Sequence, residues 1–242
     1  MRITTTGDGN LAHAIQTCCA QHFSVVSLFA TDLDLLWICY DTPIDMGVPQ
    51  VERVLGWIRQ DVEYMTFTTP VLISSQLPVG TIATLEREFP SHRLAYSPEN
   101  IRVTSGVEDF ARQARVVVGR RHTQDDNLWA QLFQPFTSRL ILTDPETAEM
   151  VKHALNAYLG LSIAFMHEIG RVARAVGADI NTISTSLLTE RRISPNAPLH
   201  PDPSWGGLHL ARDISMLRSI ASCYGVAIPV LDHIHISQEV EE

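Results

Sequence analysis

The sequence predicts an α/β fold over its first half and an all-helical second half, on three observations. Short apolar strand patterns alternate with helical patterns as far as Thr143, which is typical of a parallel sheet. A glycine-rich turn joins the first strand to the first helix. After Asp144, apolar residues recur at helical spacing for about 30 residues. We therefore expect two domains, at residues 1–143 and 144–242.

The strand patterns of the first half are short, and turn residues separate them from the helices. Only residues 30–34 separate the second strand from the third, whereas a parallel crossover needs about a dozen residues. Either the second strand is displaced, or these two strands pair differently. The predicted strands cover residues 2–6, 24–29, 35–40, 71–74, 93–96, 115–119 and 139–143. The predicted helices run from the glycine turn to about residue 21 and over residues 48–61 and 81–89.

The glycine-rich turn reads Gly-Asp-Gly-Asn-Leu-Ala from residue 7 to residue 12, a GxGxxA pattern that opens a helix. Glycines in such a turn let a pyrophosphate approach the backbone N–H groups at the helix N-terminus. Gly7, Gly9, Asn10 and Leu11 are therefore candidate cofactor-binding residues. The pattern alone does not identify a nucleotide site.

The second half carries one long helical pattern, at residues 146–176, followed by shorter ones at 180–188 and 210–224. A proline-rich loop at residues 194–205 separates the two shorter helices. A helix of such length more often bridges domains or forms a dimer than lies on a surface. It is the predicted centre of the helical domain.

Composition excludes several classes of protein. The net charge is −9 and no run of arginines exceeds a pair, which argues against a nucleic-acid surface. No apolar run is long enough to span a bilayer, and the N-terminus has no apolar core of signal-peptide length. We therefore expect a cytoplasmic chain that binds neither nucleic acid nor a membrane.

The four cysteines show no CxxC spacing. Neither a zinc site nor a disulfide framework is expected from this pattern, and buried thiols are the simplest interpretation. No metal site is predicted.

Lys152 is the single lysine among 18 basic residues, all the others being arginine. Coding bias explains the preference for arginine, so a position that keeps lysine is a candidate for a specific need for an ammonium. The pKa of an ammonium can be lowered by burial, which a guanidinium cannot imitate. Chance is the alternative explanation.

Several segments occur in an order that indicates a known family. Tyr-Ser-Pro-Glu-Asn-Ile-Arg at 96–102 is followed by Val-Glu-Asp-Phe at 107–110 and Arg-Val-Val-Val-Gly at 115–119. Ala-Glu-Met-Val-Lys-His-Ala-Leu-Asn-Ala at 148–157 and Pro-Ser-Trp-Gly-Gly-Leu-His-Leu-Ala-Arg-Asp at 203–213 come next. Across most of residues 67–235, the chain resembles the UDP-glucose/GDP-mannose 6-dehydrogenase family.

The resemblance implies oxidation of a nucleotide-sugar alcohol to a carboxylate in two NAD-dependent hydride transfers. The second transfer passes through a thiohemiacetal on a loop cysteine. Lys152 and Asn156 match the family's catalytic lysine and asparagine, one helical turn apart, where they can jointly stabilise a developing alkoxide. Asp213 matches the loop aspartate, and Glu99 matches the first glutamate after Ser-Pro.

The catalytic cysteine is replaced by His209, which removes the nucleophile that traps the aldehyde. An imidazole at this position is suited to act as general base toward an alcohol. Alternatively, His209 is an incidental residue in a decayed site. Four further positions depart from the family pattern, namely Gln76, Val103, Leu208 and Arg212.

The resemblance implies NAD or NADP as the cofactor. In the family fold, an acidic residue about twenty residues after the glycines binds the adenosine ribose, and here Phe29 falls at that position. Asp32 or Asp34 is an alternative ribose ligand, unless both lie in a solvated turn. Three residues at the ends of later strands complete the predicted cofactor-binding set, namely Thr42, Pro43 and Ser75.

In domain terms, the resemblance implies an abbreviated Rossmann-like sheet domain at 1–143 and an all-α dimerisation domain at 144–242. A homodimer through residues 148–176 is expected, and the family's second nucleotide-binding domain is expected to be missing. One hypothesis is an NAD(P)-dependent dehydrogenase limited to two-electron oxidation of an alcohol on a nucleotide or phosphorylated compound. The other is an inactive or repurposed dimer that binds a nucleotide or acts as a scaffold.

Overall fold

A computed structural model describes residues 1–30, 32–45, 48–98, 106–200 and 207–234, with only the backbone described at 207–209. The chain divides into two compact units, Met1–Lys152 and His153–Glu242. The boundary between the units falls inside the longest helix of the described chain.

The first unit is built on a seven-stranded sheet in the order β2-β1-β3-β6-β7-β8-β9. Neighbouring strands are parallel except β7 and β8, so β8 and β9 run opposite to the others. Two further short strands, β4 and β5, pair with each other outside this sheet. The strands are β1 Arg2–Thr6, β2 Ser24–Val25, β3 Leu35–Ile38, β4 Ile44–Asp45, β5 Val48–Pro49, β6 Val71–Ile73, β7 Leu94–Tyr96, β8 Val116–Arg120 and β9 Leu140–Thr143.

The helices cover both faces of the sheet, because alternate residues of each buried strand point to opposite sides. Leu35 and Trp37 of β3 enter one apolar cluster, whereas Leu36 and Ile38 enter the other. The helices of this unit are α1 Gly9–Cys19, α2 Val51–Tyr64, α3 Thr81–Glu88, α4 Gly106–Ala111 and α5 Asp126–Phe133.

The prediction of an α/β Rossmann-like sheet is confirmed, but that of an all-parallel sheet is wrong at its far edge. The only helix described between β7 and β8 is α4, which has six residues and is about 9 Å long. Phe110 of α4 packs in the same apolar cluster as Leu35 and Trp37, and β8 then runs antiparallel to β7.

The second strand is displaced to the edge of the sheet. β2 has two residues and pairs with β1, whereas β3 pairs with the other side of β1. Val25, the last residue of β2, and Leu35, the first residue of β3, both pair with Ile3 of β1. The connection between them therefore crosses β1 with almost no displacement along the strand direction. This explains how so few residues connect two parallel strands without the usual crossover helix.

The carboxyl ends of the parallel strands meet at one edge of the sheet. Thr6, Ile38, Ile73 and Tyr96 lie at the same level in β1, β3, β6 and β7. In open α/β sheets, ligands bind just outside this edge. The segments that follow these residues are therefore where a nucleotide site is expected.

The second unit is helical. The long helix α6, Pro145–Val176, begins in the first unit and ends in the second, and α7 Ile180–Leu188, α8 Gly207–Cys223 and α9 Pro229–Asp232 follow. Asp179 caps α7, accepting hydrogen bonds from the backbone N–H groups of Asn181 (3.2 Å) and Thr182 (3.0 Å). The prediction of a helical second half around one long helix is confirmed. Within the described ranges, no helix is long and apolar enough to cross a membrane.

Candidate functional site

The glycine turn between β1 and α1 requires glycine at both positions. Gly7 has φ +127° and Gly9 has φ +80°, conformations that residues with side chains rarely adopt. A Cβ on Gly7 would lie 2.3 Å from the carbonyl oxygen of Cys39, at the end of β3. The turn therefore packs its backbone directly against the carboxyl edge of the sheet.

The N-terminus of α1 has no side-chain cap and no acidic residue in its first turn. Its backbone N–H groups are therefore available to an anion, as at phosphate-binding helices. Asp8 lies beside them, and the backbone N–H of Asp41 donates to Asp8 Oδ1 at 3.4 Å. Asn10 is exposed, whereas Leu11 packs against the apolar core and has a structural role.

The other predicted cofactor residues follow β3 and β6. Thr42 is buried, and its hydroxyl donates to the carbonyl oxygen of Gln76 at 2.6 Å, so the two loops are joined. Ser75 is 1% exposed, and its hydroxyl has no hydrogen-bond partner in the described structure. Such a buried orphan hydroxyl fits a site completed by a ligand. Pro43 accepts a hydrogen bond from Gln50 N through its carbonyl oxygen (2.8 Å).

The residues after β2, where an acidic ribose ligand is expected, do not provide one in a suitable position. Phe29 is 75% exposed and stacks edge-to-face on Tyr64, with ring centroids 5.7 Å apart. Asp34 Oδ2 accepts a hydrogen bond from the backbone N–H of Arg2 (2.7 Å), which places Asp34 at the amino edge of the sheet. Asp34 as a ribose ligand is therefore wrong. The turn fits the pyrophosphate of a dinucleotide, but the described end of β2 offers no carboxylate to a ribose.

Burial keeps the groups at the end of β3 protonated. The pKa of the Cys39 thiol rises to about 12, chiefly through burial, so this cysteine does not supply a thiolate. The pKa of Tyr40 rises to about 12 through burial and through the hydrogen bond that its hydroxyl donates to Asp61 Oδ2 at 2.8 Å. Among the described residues, no cluster of three or more potential metal ligands is found.

Four buried polar residues lie on one face of α6, at the helical spacing i, i+3, i+4 and i+7. They are Glu149, Lys152, His153 and Asn156, with side chains 0%, 8%, 1% and 7% exposed. Buried charged and polar groups are rare and need partners. This polar face of α6 is therefore the strongest structural sign of a functional site.

Glu149 caps the N-terminus of α3 within the first unit. Its Oε2 accepts from the backbone N–H of Gly80 at 2.6 Å, and its Oε1 accepts from that of Ile82 at 2.8 Å. The carboxylate thus satisfies two backbone donors at the positive end of the helix dipole. This contact fixes the rotation of α6 about its own axis.

Lys152 has a different environment. Its side chain is buried, yet within the described ranges its ammonium makes no ion pair or hydrogen bond. A buried lysine side chain without an ion-pair partner contributes little to stability. Its retention is therefore more easily explained by chemistry than by folding.

His153, Asn156 and Asp213 form a buried cluster in the second unit. Asn156 Nδ2 donates to Asp213 Oδ2 at 2.5 Å, and His153 Nδ1 lies 2.9 Å from Asp213 Oδ1. Asp213 is fully buried in α8. Two predicted residues, Asn156 and Asp213, are thus brought together, although 57 positions separate them in the chain.

Other predicted catalytic groups lie outside the described structure, namely Glu99 and the side chain of His209. Conversely, Glu149 and His153 were not among the predicted site residues. Their signal was present in the sequence, because the spacing of Glu149, Lys152, His153 and Asn156 places four polar groups on one face of a single helix.

Comparisons with known proteins agree with this arrangement. Residues 146–239 match the model of the UDP-glucose/GDP-mannose dehydrogenase family, central domain. UDP-glucose 6-dehydrogenase of Rickettsia prowazekii is 25% identical over 232 residues, which are 93% of this chain and 53% of that protein. UDP-glucose 6-dehydrogenase YwqF of Bacillus subtilis is 29% identical over 196 residues, or 78% of this chain and 44% of that protein. The chain spans about half the length of these relatives.

Solved structures share the fold. A UDP-D-ManNAc dehydrogenase from Pyrococcus horikoshii superposes with a TM-score of 0.81 at 20% identity, covering 96% of this chain and 66% of that one. A UDP-glucose dehydrogenase from Pyrobaculum islandicum gives 0.79 at 18% identity, with the same coverage. The described architecture is thus that of nucleotide-sugar dehydrogenases.

Replacing Glu149 by glutamine should destabilise the chain by about 1–3 kcal/mol, because the amide –NH₂ would face one of two buried N–H donors. Urea unfolding at constant m-value measures this change. Glu146→Gln is the matched control, since Glu146 is a half-exposed residue of the same helix that pairs with Arg121, and it should change stability by less than about 1 kcal/mol. Equal effects of the two variants would contradict the capping role.

Proposed function

Because residues 146–239 match the model of the UDP-glucose/GDP-mannose dehydrogenase family, central domain, we propose that the chain is an NAD(P)-dependent oxidoreductase. Its reaction is one two-electron oxidation of an alcohol on a nucleotide or other phosphorylated compound. The observation that carries this proposal is Lys152, the single lysine, which is buried without an ion-pair partner in the described structure.

Lys152 has the properties needed to stabilise an alkoxide. As a hydroxyl loses its proton, negative charge develops on the oxygen, and a preorganised ammonium beside it stabilises that charge more strongly than water does. Asn156 lies one turn further along the same helix and offers an amide N–H in addition to the one that it gives to Asp213. Together, the two residues suit the first oxidation of the family.

The hydride would pass to a nicotinamide cofactor held at the glycine turn between β1 and α1. The substrate carbon loses this hydride, the hydroxyl loses its proton, and a carbonyl product forms. From the sequence match we assign the proton to His209 as general base. Without a thiolate at that position, the carbonyl product is not trapped, and the second oxidation of the family does not follow.

Gly7 and Gly9 would hold the pyrophosphate against the N-terminus of α1, and Ser75 would bond the cofactor through its buried hydroxyl. The names of the relatives indicate UDP-glucose and GDP-mannose as first substrates to test. A cytoplasmic location and a homodimer through α6 are parts of the same proposal.

A second candidate function is a repurposed nucleotide-binding or scaffold protein without turnover. Two observations favour it. Asp8 and Asp41 bring two carboxylates to the turn that would receive a pyrophosphate, and Phe29 stands where the ribose carboxylate is expected. Cofactor binding and turnover separate the two candidates.

We expect the chain to bind both NADH and NADPH, with affinities within about tenfold, because no carboxylate at the end of β2 selects the ribose 2′-hydroxyl.

Asp8→Asn should tighten binding about two- to fivefold, since it removes one charge, worth roughly 0.3–1 kcal/mol, beside the pyrophosphate. Isothermal titration calorimetry measures both effects.

Glu63→Gln is the control for charge, because Glu63 is an exposed acid on α2. It should leave both affinities unchanged. If neither cofactor binds the unaltered chain at millimolar concentration, the dehydrogenase proposal fails.

Lys152→Met should reduce turnover by at least about 100-fold while the protein becomes no less stable, because the variant removes an unpaired buried charge. The assay follows formation of reduced nicotinamide with UDP-glucose or GDP-mannose, and thermal unfolding reports stability. Arg171→Met is the control, as it removes an exposed cation from the same helix. Unchanged turnover in Lys152→Met would contradict the proposed role.

The proposed dimer has a specific test on α6. Its second half presents an exposed apolar stripe at heptad-like spacing, formed by Tyr158, Leu161, Phe165, Val172 and Val176. Sedimentation equilibrium should show a dimer that Phe165→Glu converts to monomer, whereas Arg174→Gln, at an exposed position on the opposite face of the same helix, should have no effect. A monomer at every accessible concentration of the unaltered chain would disprove this interface.

A further inference from the structure

We propose that His153 is a positioning residue of the candidate site, which orients Asp213 and, through it, the amide of Asn156. This inference rests on the proposed function for its catalytic consequence. The contact that suggests it lies wholly within the second unit and involves three buried side chains, of which Asp213 and His153 are 0% and 1% exposed.

The Asp213 carboxylate is held from both sides. Asn156 Nδ2 donates to Oδ2 at 2.5 Å, and His153 Nδ1 meets Oδ1 at 2.9 Å. Both donors come from the same face of α6, three residues apart, so the helix presents them as a pair. Each oxygen of the carboxylate therefore has its own donor, and rotation of the group would break both bonds.

This arrangement defines the proton on the imidazole. An ionised carboxylate only accepts hydrogen bonds, so His153 Nδ1 must carry the hydrogen in the 2.9 Å contact. The imidazole is then either the Nδ1–H tautomer or the imidazolium. In both forms it keeps Asp213 as an acceptor facing Asn156.

The consequence for chemistry concerns Asn156. Because Nδ2 is directed at Asp213, the amide has a fixed orientation, and its second N–H points in a defined direction. If Asp213 were to rotate or take up a proton, the amide would lose the acceptor that fixes it. His153 thus acts on the reaction through Asp213 and Asn156, without touching substrate.

A merely structural role would need only a side chain of similar volume. Leucine at position 153 would fill the space but would remove one donor from a fully buried carboxylate, an unfavourable change in an apolar interior. Asparagine would restore a donor close to the position of Nδ1. These two substitutions separate packing from positioning.

The test compares His153→Leu, His153→Asn and the control His167→Leu. His167 lies on the same helix, and its Nε2 is buried without a partner in the described structure. For each protein, ¹⁵N NMR records the histidine tautomers and the side-chain amide resonances of Asn156, which Asn156→Asp identifies. Steady-state kinetics with UDP-glucose or GDP-mannose record kcat and KM.

We expect His153 to be protonated at Nδ1. In His153→Leu, the Asn156 amide signals should shift and lose protection from exchange, and kcat should fall on the order of 10- to 100-fold, as when groups that orient functional side chains are lost. KM should change little. His153→Asn should recover most of kcat, and His167→Leu should match the unaltered chain.

An unchanged Asn156 amide in His153→Leu, or equal kcat loss in the asparagine and leucine variants, would overturn the inference. If the unaltered chain oxidises neither nucleotide sugar, the proposed function fails for these substrates, but the amide resonances still decide whether His153 positions Asn156.

Discussion

The carboxylate of Glu149 on the first N–H groups of α3 is the contact on which the candidate site depends. It is fully buried and bonds Gly80 N and Ile82 N, so the long helix cannot rotate about its axis without exposing two backbone donors. Close packing reinforces this. A Cβ on Gly119 would lie 2.6 Å from Pro145 Cα, so only glycine lets the helix begin this near to β8. With the rotation of this first part of α6 fixed, the side chain of Lys152, three residues later in the same unit, emerges in a fixed direction.

The groups that emerge there differ in what they contribute to stability. Asn156 and Asp213 satisfy each other, and such a cluster specifies one arrangement of the helices that carry it. Lys152 gains no comparable stabilisation, because its side chain is buried and its ammonium has no hydrogen-bond or ion-pair partner in the described parts of the chain. Functional sites are where local rules of stability are broken. The proposed oxidation uses a cation and an amide on α6, and Lys152 and Asn156 supply these two groups, whereas position 209 carries histidine and not a cysteine.

Local pattern predicted much of the fold. Alternating apolar runs located the main strands, and 3.6-residue periodicity located α6 almost to the residue. Non-local pairing was not predictable in the same way. No local sequence pattern indicates that β8 runs antiparallel to β7. Likewise, the position of Asp34 in the sequence suggests a ribose ligand, but its hydrogen bond with Arg2 N places it at the opposite edge of the sheet. For the site, the spacing of the polar residues along α6 was visible in the sequence. The partner of Asn156 was not, because Asp213 lies 57 positions away and its position depends on how α8 packs.

The central claim is that the polar face of α6 supports one hydride transfer and no more. The most direct measurement is the ratio of reduced nicotinamide formed to nucleotide sugar consumed, with the product identified by mass spectrometry. The proposed chemistry predicts one reduced nicotinamide per substrate and a carbonyl product. Two per substrate with a carboxylate product would contradict it, because the proposed chemistry ends at the carbonyl compound and residue 209, a histidine, supplies no thiolate to trap that carbonyl.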